Sequence, residues 1–176
     1  MIQIQSDQLT LRSAVEKDWP NFLKVQSDPE VNRYIRIPQT EAVIRQKFEV
    51  SNINWTYGSG NFLSLIIENT QQEFIGVMGF RCLDPELNNV EVGYVINPVA
   101  QGNGYGTQAL QLMLPWAIST FNIHKFVAYC ASGNIGSQKV LENSGFQREG
   151  LLRENIKIGE QWIDDFVYGL IVSEVL

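Results

Sequence analysis

The sequence predicts an α/β (α+β) protein built on one mixed sheet with helices on both faces. Short apolar stretches of strand length alternate along the chain with stretches of helical periodicity. No repeat, low-complexity tract or Pro/Gly/Ser-rich linker divides them. The 176 residues are 44% hydrophobic and 18% charged, which suffices for one sizeable core and is short for two. We therefore expect a single domain over residues 1–176.

The first part of the chain predicts strands followed by two helices. Residues 2–14 predict one or two short strands around a turn, and residues 15–27 have helical spacing. Asp28-Pro29 ends that helix, because the residue before a proline disfavours helical backbone. A second helix is predicted over residues 40–55, with Thr40 as its N-cap.

Three strands and a long helix are predicted in the middle of the chain. The strands cover residues 61–69, 73–83 and 89–96, and the third is rich in β-branched residues. Residues 109–121 place apolar side chains along one face of a helix. Pro115 within this helix predicts a kink or an early end.

The last part of the chain predicts a strand, a short helix and a pair of strands. Residues 125–131 are typical of a buried strand, and residues 134–146 predict a short helix that Gly145 closes at the C′ position. The remaining residues predict two strands around a turn at residues 158–161.

Composition and charge argue against several functions. The formal charge of −6 and the pI near 4.8 argue against nucleic-acid binding, which needs a basic surface, and are compatible with a cationic amine. We expect no membrane partner, because no apolar run is long enough to span a bilayer and the N-terminus does not resemble a signal peptide. Two cysteines, Cys82 and Cys130, suit a reducing compartment and predict a cytoplasmic protein. The single histidine, His124, and the distant cysteines give no metal-ligand spacing, so no metal is expected.

Three glycines alternate with other residues just before the long helix, in the sequence QGNGYG at residues 101–106. Glycine permits positive φ angles or a close approach to the main chain, and the free N–H groups of a helix start attract anions. A dinucleotide fingerprint fails because its third glycine would fall on Thr107 or Ala109, and a P-loop fails because no lysine follows. The pattern that remains is a [QR]-x-x-G-x-G loop between a strand and a helix. A glycine-rich turn without a ligand is the alternative.

This loop resembles the signature of the GNAT superfamily of acetyl-CoA-dependent N-acetyltransferases, [QR]-x-x-G-x-[GA] at the start of the long central helix. Gln101, Gly104 and Gly106 match its three fixed positions, and Asn134 precedes Gly145-Phe146 at the spacing of the family's N-x(10)-G-F element. The sequence is most similar to the RimJ/RimL branch, the ribosomal-protein N-terminal acetyltransferases, through the stretches LTLRSA, VEVGYVINP and WIDDFVYGL. The resemblance implies the GNAT fold, with a mostly antiparallel central sheet.

The resemblance implies that acetyl-CoA is the cofactor. Its pyrophosphate needs several convergent donors, which successive loop N–H groups supply, and a Cβ on these glycines would stand between phosphate and amides. The pantetheine arm is expected between strand 89–96 and the parallel strand after the long helix. Gly93 suits this close approach, or a simple packing contact. The expected coenzyme contacts are Val95, Ile96, Gln101, Gly102, Asn103, Gly104, Tyr105, Gly106, Thr107 and Asn134.

Glu91 is the candidate general base. Alternation along the strand puts Glu91 on the face opposite Val90 and Val92, so a carboxylate in an apolar strand must be solvated, paired or used. Such a carboxylate can take the proton of an attacking amine, and the resemblance implies this role because RimJ/RimL-like enzymes use a glutamate at this strand position. A solvated or salt-bridged glutamate is the alternative.

Ser137 is the candidate proton donor to the departing thiolate. Many superfamily members use a tyrosine seven residues after the asparagine, and here that position is Leu141. The resemblance implies Ser137 instead, because the RimJ/RimL branch often has serine three residues after the asparagine. Asn134 suits a helix N-cap and, by the resemblance, an amide contact to the coenzyme or to water; both roles can hold together.

The acceptor is predicted to be a primary amine that attacks the thioester directly in a ternary complex. The branch resemblance favours a protein or peptide α-amine, whose pKa of about 7.7 to 8.0 leaves more neutral amine near pH 7 than a lysine near about 10.4. Small amines, such as polyamines, antibiotics or amino acids, are one alternative, and a non-catalytic acyl-CoA-binding module is another. The expected acceptor contacts are Tyr34, Trp55, Glu91 and Trp162, although the tryptophans also suit a core. The terminal strands and the branch resemblance predict a homodimer.

Overall fold

The computed structural model describes residues 1–52 and 55–174, in which eight strands form one sheet. The order of the strands across the sheet is β1-β2-β3-β4-β5-β6-β8-β7. Neighbouring strands are antiparallel except β5 and β6, which are parallel. The predicted mixed, mostly antiparallel sheet is therefore confirmed. The strands are β1 (Gln3–Gln5), β2 (Leu9–Ser13), β3 (Leu65–Asn69), β4 (Phe74–Asp84), β5 (Asn89–Ile96), β6 (Lys125–Ala131), β7 (Gln147–Ile158) and β8 (Gln161–Ile171).

Helices cover both faces of this sheet, as predicted. Neighbouring residues of β3 point to opposite sides: Ile66 packs with Phe22 and Phe48, whereas Leu65 and Ile67 pack in a separate core with the long helix α4. We call the side covered by α1 and α3 the α3 face, and the opposite side the α4 face. The helices are α1 (Trp19–Ser27), α2 (Pro29–Asn32), α3 (Glu41–Asn52), α4 (Tyr105–Phe121) and α5 (Ile135–Asn143).

The sequence missed the short helix α2. Asp28 ends α1, as expected, but its side chain also starts α2, because Asp28 Oδ1 accepts hydrogen bonds from the Glu30 N–H (2.8 Å) and the Val31 N–H (3.1 Å). An aspartate with extended backbone before a proline is both a helix stop and an N-cap. Asn32, which is buried, donates from Nδ2 to the carbonyls of residues 26 and 28 and fixes the next turn of chain.

Two helices agree with the sequence in place and differ in length. The Ile44 N–H donates to the Thr40 carbonyl (3.1 Å), the backbone bond expected of an N-cap. Helix α3 ends at Asn52 and Trp55 lies outside it, while residues 53 and 54, which fell within the predicted helix, lie outside the described residues. Helix α4 continues through Pro115, so an early end there is wrong.

The strands also follow the sequence closely, with β5 matching residues 89–96. The strand expected from residue 61 begins instead at Leu65, because the chain before it lies against β4 as irregular backbone, in which the Leu63 N–H donates to the Phe80 carbonyl (2.8 Å).

Strand β7 is the last in the order, and Leu151 on it is 50% exposed. The homodimer expected at this end of the sheet stays a prediction, which the mass in solution by light scattering would decide. No helix within residues 1–52 and 55–174 has the length and apolar character needed to cross a bilayer.

Candidate functional site

Strands β5 and β6 part after a short paired stretch. Residues 89–91 pair with residues 125–127 in parallel register. Beyond that point β5 pairs with β4 and β6 pairs with β8, so the described residues supply no strand partner for the two edges that face each other. We call this opening between β5 and β6 the gap. It leaves backbone groups available to an extended ligand, and the gap matches the arrangement implied for a pantetheine arm.

The glycine loop lies at the open end of the gap. Gly102 and Gly104 have φ angles of +80° and +78°, and Gly104 directly precedes α4. Within residues 1–52 and 55–174, the N–H groups of residues 102–106 have no hydrogen-bond acceptor. A helix start with successive free N–H groups is an anion-binding cradle. Left-handed backbone explains these two glycines, since a Cβ at Gly102 would meet nothing within 4 Å in the protein.

Gly106 has a different role from the other two glycines. It lies in the first turn of α4 and is buried, and a Cβ there would lie 3.2 Å from Cγ2 of Val140 on α5. Its missing side chain therefore lets α4 approach α5 closely. The motif thus combines two backbone requirements with one packing requirement, which the spacing of the glycines does not reveal.

Two side chains of the loop fasten it to the protein. Gln101 donates from Nε2 to the Ile96 carbonyl (3.1 Å), which ties the loop to the end of β5. Asn103 donates from Nδ2 to the carbonyls of Ala100 and Gln101, at 3.2 Å each. These bonds brace the loop, whose N–H groups have no acceptor among the described residues. The coenzyme contacts expected of Gln101, Asn103 and Ile96 stay predictions. In the structure, the two side-chain amides and the Ile96 carbonyl form hydrogen bonds within the protein.

Three polar side chains from different elements meet beside the gap on the α4 face. Ser137 Oγ lies 2.8 Å from the Tyr94 hydroxyl, which belongs to β5, and Cys130 lies on β6 with its Sγ 3.6 Å from the Asn134 carbonyl. Burial raises the pKa of Tyr94 and of the Cys130 thiol above their usual ranges. Both groups therefore stay protonated near neutral pH. The sequence predicted Ser137 as a site residue but not Tyr94. The Tyr94 phenol lies next to Ser137, whereas Leu141, at the position where many superfamily members have tyrosine, has no hydroxyl.

Asn134 acts as the N-cap of α5. Its Oδ1 accepts a hydrogen bond from the Ser137 N–H (3.1 Å). This bond satisfies one orphan donor of the helix start and fixes the serine in the first turn. The cap role is confirmed, and the coenzyme contact stays a prediction.

Glu91 forms an ion pair on the α3 face. Its Oε2 accepts hydrogen bonds from Arg81 Nε (2.9 Å) and Nη2 (2.6 Å), and the Glu91 side chain is 16% exposed. Arg81 is its cross-strand partner on β4. Glu91 is also the last residue of β5 that pairs with β6, so the carboxylate lies where the gap begins. The pairing alternative therefore holds, and a catalytic role stays a prediction.

An aromatic ring lines the α3 face next to this ion pair. The guanidinium of Arg81 lies 5.3 Å from the ring centroid of Phe62, and a Cβ on Gly93 would lie 3.3 Å from the same ring. The glycine therefore makes room for Phe62, which supports the packing interpretation of Gly93. Neither Phe62 nor Arg81 could be predicted from the sequence, because their positions depend on the β4–β5 register.

Tyr34 lies beside the β6–α5 connection, and Trp162 lies on the last hairpin, where its acceptor contact stays a prediction. A Cβ on Gly133, in the β6–α5 connection, would lie 3.2 Å from Cε1 of Tyr34. A Cβ on Gly159, at the β7–β8 turn, would lie 4.0 Å from Cδ1 of Ile37. The segment of residues 33–38 therefore spans the carboxyl end of β6 and the tip of the last hairpin. Trp162 is on that hairpin and is 57% exposed.

Trp55 belongs to the aromatic cluster at the far end of α4, and its expected acceptor contact stays a prediction. Its ring packs edge-on against Phe80 and Phe121, at centroid distances of 5.8 Å and 5.7 Å. Phe121 is the last residue of α4, and the glycine loop precedes its first residue. About 16 helical rises of 1.5 Å, roughly 24 Å, separate the two ends. For Trp55 the structure therefore supports the core alternative.

Comparison with known proteins identifies the family. Residues 8–147 match the model described as acetyltransferase (GNAT) domain. The chain is 30% identical to an uncharacterized N-acetyltransferase, p20, of Bacillus licheniformis, over 99% of this chain and 98% of that protein. It is 24% identical to the ribosomal-protein-serine acetyltransferase of Escherichia coli, over 89% of this chain and 77% of that protein.

Solved structures share the fold. An acetyltransferase (GNAT family) from Bacillus anthracis superposes with a TM-score of 0.82 and 26% identity, covering 97% of this chain and 98% of that one. Spermidine N-acetyltransferase from Vibrio cholerae, solved with CoA and spermine, gives a TM-score of 0.84 at 20% identity, covering 96% and 98%.

Replacing Gly104 by valine tests whether the loop binds the coenzyme. Coenzyme A at about 100 times its Kd is expected to raise the Tm of the natural protein by roughly 5 to 10 °C, and Gly104→Val is expected to abolish this shift. Gly60→Val is the matched control, because Gly60 also has a positive φ (+72°) and open space around it but lies outside the loop. Both variants carry the same backbone strain, so a shift lost in both would show that strain, and not the cradle, is responsible. A full shift in Gly104→Val would contradict the phosphate cradle.

Proposed function

Because the chain belongs to the GNAT family of acetyltransferases, we propose that it transfers an acetyl group from acetyl-CoA to the amino-terminal α-amine of a protein or peptide. The observation that carries the proposal is the gap between β5 and β6, with the free N–H groups of residues 102–106 at its open end. One opening in the sheet next to one anion cradle suits a long ligand with a phosphate end.

The loop and the gap divide the work of binding the donor. In this proposal the N–H groups of residues 102–106 hold the pyrophosphate, and Thr107 follows them in the first turn of α4. The free edge of β5 near Val95 pairs with the pantetheine amides. Acetyl-CoA supplies the acetyl group as a thioester, which the amine attacks directly while the carbon–sulfur bond breaks. The chain positions both reactants, a contribution that by itself is worth several powers of ten in rate.

The acceptor assignment rests on the relatives and on the demands of the chemistry. The E. coli relative is a ribosomal-protein-serine acetyltransferase, and an α-amine is partly neutral near pH 7. A polyamine is the second candidate, since one relative is a spermidine N(1)-acetyltransferase of V. cholerae, 25% identical over 99 residues, and the net charge is −6. We further propose that the chain acts as a single domain in the cytoplasm, where the free thiols of Cys82 and Cys130 would persist.

A panel of acceptors tests the proposal. Acetyl-CoA is mixed with amino-terminal peptides, spermidine and single amino acids, thiol release is followed, and the products are read by mass spectrometry. We expect acetylation at the peptide α-amine. Turnover confined to spermidine would replace this acceptor by the second candidate. Coenzyme binding without turnover on any amine would indicate a binding module.

Glu91 is proposed to take the proton of the amine. Replacement by glutamine keeps the shape and removes basicity, so kcat is expected to fall by roughly 10²- to 10⁴-fold at pH 7 with little change in coenzyme affinity. The deficit should shrink as pH rises, because more of the amine is then already neutral. Steady-state rates between pH 6 and 9 measure this.

Arg81→Gln is the control for the ion pair. It breaks the same Arg81–Glu91 contact but leaves the carboxylate in place, so turnover is expected to persist. Equal losses in Arg81→Gln and Glu91→Gln would mean that the ion pair, and not the base, matters. Unchanged turnover in Glu91→Gln would remove the catalytic role altogether.

Ser137 is proposed to donate a hydrogen bond or proton to the departing thiolate, with Tyr94 holding its hydroxyl in place. Ser137→Ala is expected to lower kcat without the rescue at high pH, and Tyr94→Phe is expected to lower kcat by about tenfold, the usual value of one hydrogen bond. The double variant should be no slower than Ser137→Ala, because both changes act on one hydroxyl.

Tyr57→Phe is the matched control for the tyrosine. Its hydroxyl lies 3.4 Å from Asn88 Oδ1, in the aromatic cluster at the far end of α4, so its loss should leave kcat unchanged. Additive effects of Tyr94→Phe and Ser137→Ala would show that the tyrosine does not act through the serine.

A further inference from the structure

Two cations on the α3 face converge on one amide oxygen. Gln39 Oε1 accepts from Lys47 Nζ at 2.6 Å and from Arg36 Nη1 at 3.5 Å. Within the described part of the chain, neither cation lies within ion-pair distance of a carboxylate. By contrast, Arg33, three residues before Arg36, is paired with Glu30. We call Arg36, Gln39 and Lys47 the cation cluster.

The cation cluster is short of negative charge and of hydrogen-bond acceptors. Arg36 Nε is buried and has no partner among the described residues, although a guanidinium carries five N–H donors. Burial lowers the pKa of Arg36, which is partly buried, and partial desolvation together with the charge of Arg36 lowers the pKa of Lys47, although that residue is exposed as a whole. A cation that is partly removed from water and has no counter-charge is costly. A negatively charged oxygen would satisfy both side chains at once.

The position of Arg36 links this cluster to the acceptor side of the site. The residue lies between Tyr34, whose ring is next to Gly133 in the β6–α5 connection, and Ile37, whose side chain is near Gly159 in the β7–β8 turn. Its N–H donates to the Asn32 carbonyl (3.0 Å), so its backbone is fixed by the turn that follows α2. Lys47 belongs to α3, so the cluster lies on the α3 face, whereas the glycine loop starts α4 on the other face.

We propose that Arg36 and Lys47 bind a carboxylate of the acceptor peptide, so that the enzyme selects acidic amino-terminal sequences. This inference rests on the proposed function and names the acceptor class of the same site. Paired hydrogen bonds from a guanidinium are the usual means of recognising a carboxylate. The arrangement also disfavours a polyamine, whose charges the two cations would repel. A phosphate of the coenzyme is the other source of the same oxyanion chemistry, and the experiment separates the two.

Matched peptides test the selection. The peptides are amidated at the C-terminus and come in pairs. The two members of a pair differ at one position, the second, third or fourth, where one has Asp and the other Asn, so that they differ by one carboxylate. We expect kcat/KM to be roughly 10- to 100-fold higher for one Asp peptide than for its Asn partner. Arg36→Gln and Lys47→Gln should each remove most of this ratio and leave the Asn peptide unaffected. Lys47 is exposed, so its variant is expected to fold even if Arg36→Gln is unstable.

Lys24→Gln is the control for net charge. It removes one positive charge from an exposed side chain on α1, and it should leave the Asp/Asn ratio unchanged. Equal use of Asp and Asn peptides by the natural protein would overturn the inference while the proposed function stood. A ratio unchanged in both cluster variants would do the same.

Calorimetry separates the remaining outcomes. Coenzyme A and its analogue without the 3′-phosphate are titrated into the natural protein and Arg36→Gln. A loss of coenzyme affinity with an unchanged Asp/Asn ratio would assign the cations to a coenzyme phosphate and overturn the inference. If no peptide is acetylated, the proposed function fails, and binding of the Asp peptide to the protein loaded with coenzyme A still decides the site. Preference for Asp that disappears in Arg36→Gln supports it, and no preference overturns it.

Discussion

The site depends on the parting of β5 from β6. Beyond Glu91 and Val127, the described residues place no strand between the two facing edges of β5 and β6. Exposed edges invite pairing with another chain or ligand. Among the strands of the described residues, β5 and β6 form the one parallel pair, since they are joined through α4 and not by a hairpin. The same connection that makes the pair parallel therefore places the start of α4, with its free N–H groups, at the mouth of the gap.

The strand beside the gap serves both faces of the sheet at once. Residues of β5 alternate, so Glu91 points to the α3 face with Arg81, and Tyr94 points to the α4 face with Ser137. Taking a proton from an amine and giving one to a thiolate are opposite tasks. The sheet therefore separates the Glu91 carboxylate, proposed as the base, from the Ser137 hydroxyl, proposed as the donor and held by Tyr94, so that the two groups cannot exchange a proton directly. The geometry of one strand thus keeps the two proposed steps apart.

The sequence predicted what depends on local spacing. The loop, the cap at Asn134 and the bounds of β5 follow from residue types at short separations, and the structure agrees with each. The Arg81–Glu91 pair and the Tyr94–Ser137 contact join residues 10 and 43 positions apart, and they need the β4–β5 register and the placement of α5. Pro115 shows the reverse failure. Pro115 is exposed, while Leu114 and Ala117 near it are buried. Packing of the apolar side chains of α4 therefore outweighs the cost of the backbone hydrogen bond that a proline removes from a helix.

Net charge and local charge lead to opposite expectations for the acceptor. A chain of charge −6 attracts cations at long range, which favours a polyamine, but charges farther apart than about 8 Å are largely screened at physiological salt. Inside that distance the contacts decide, and on the α3 face they include Arg36 and Lys47 with a neutral amide between them. The Glu91 carboxylate on the same face is already paired with Arg81. If the cation cluster binds the acceptor as proposed, the charge that the acceptor meets there is set by Arg36 and Lys47 and not by the total.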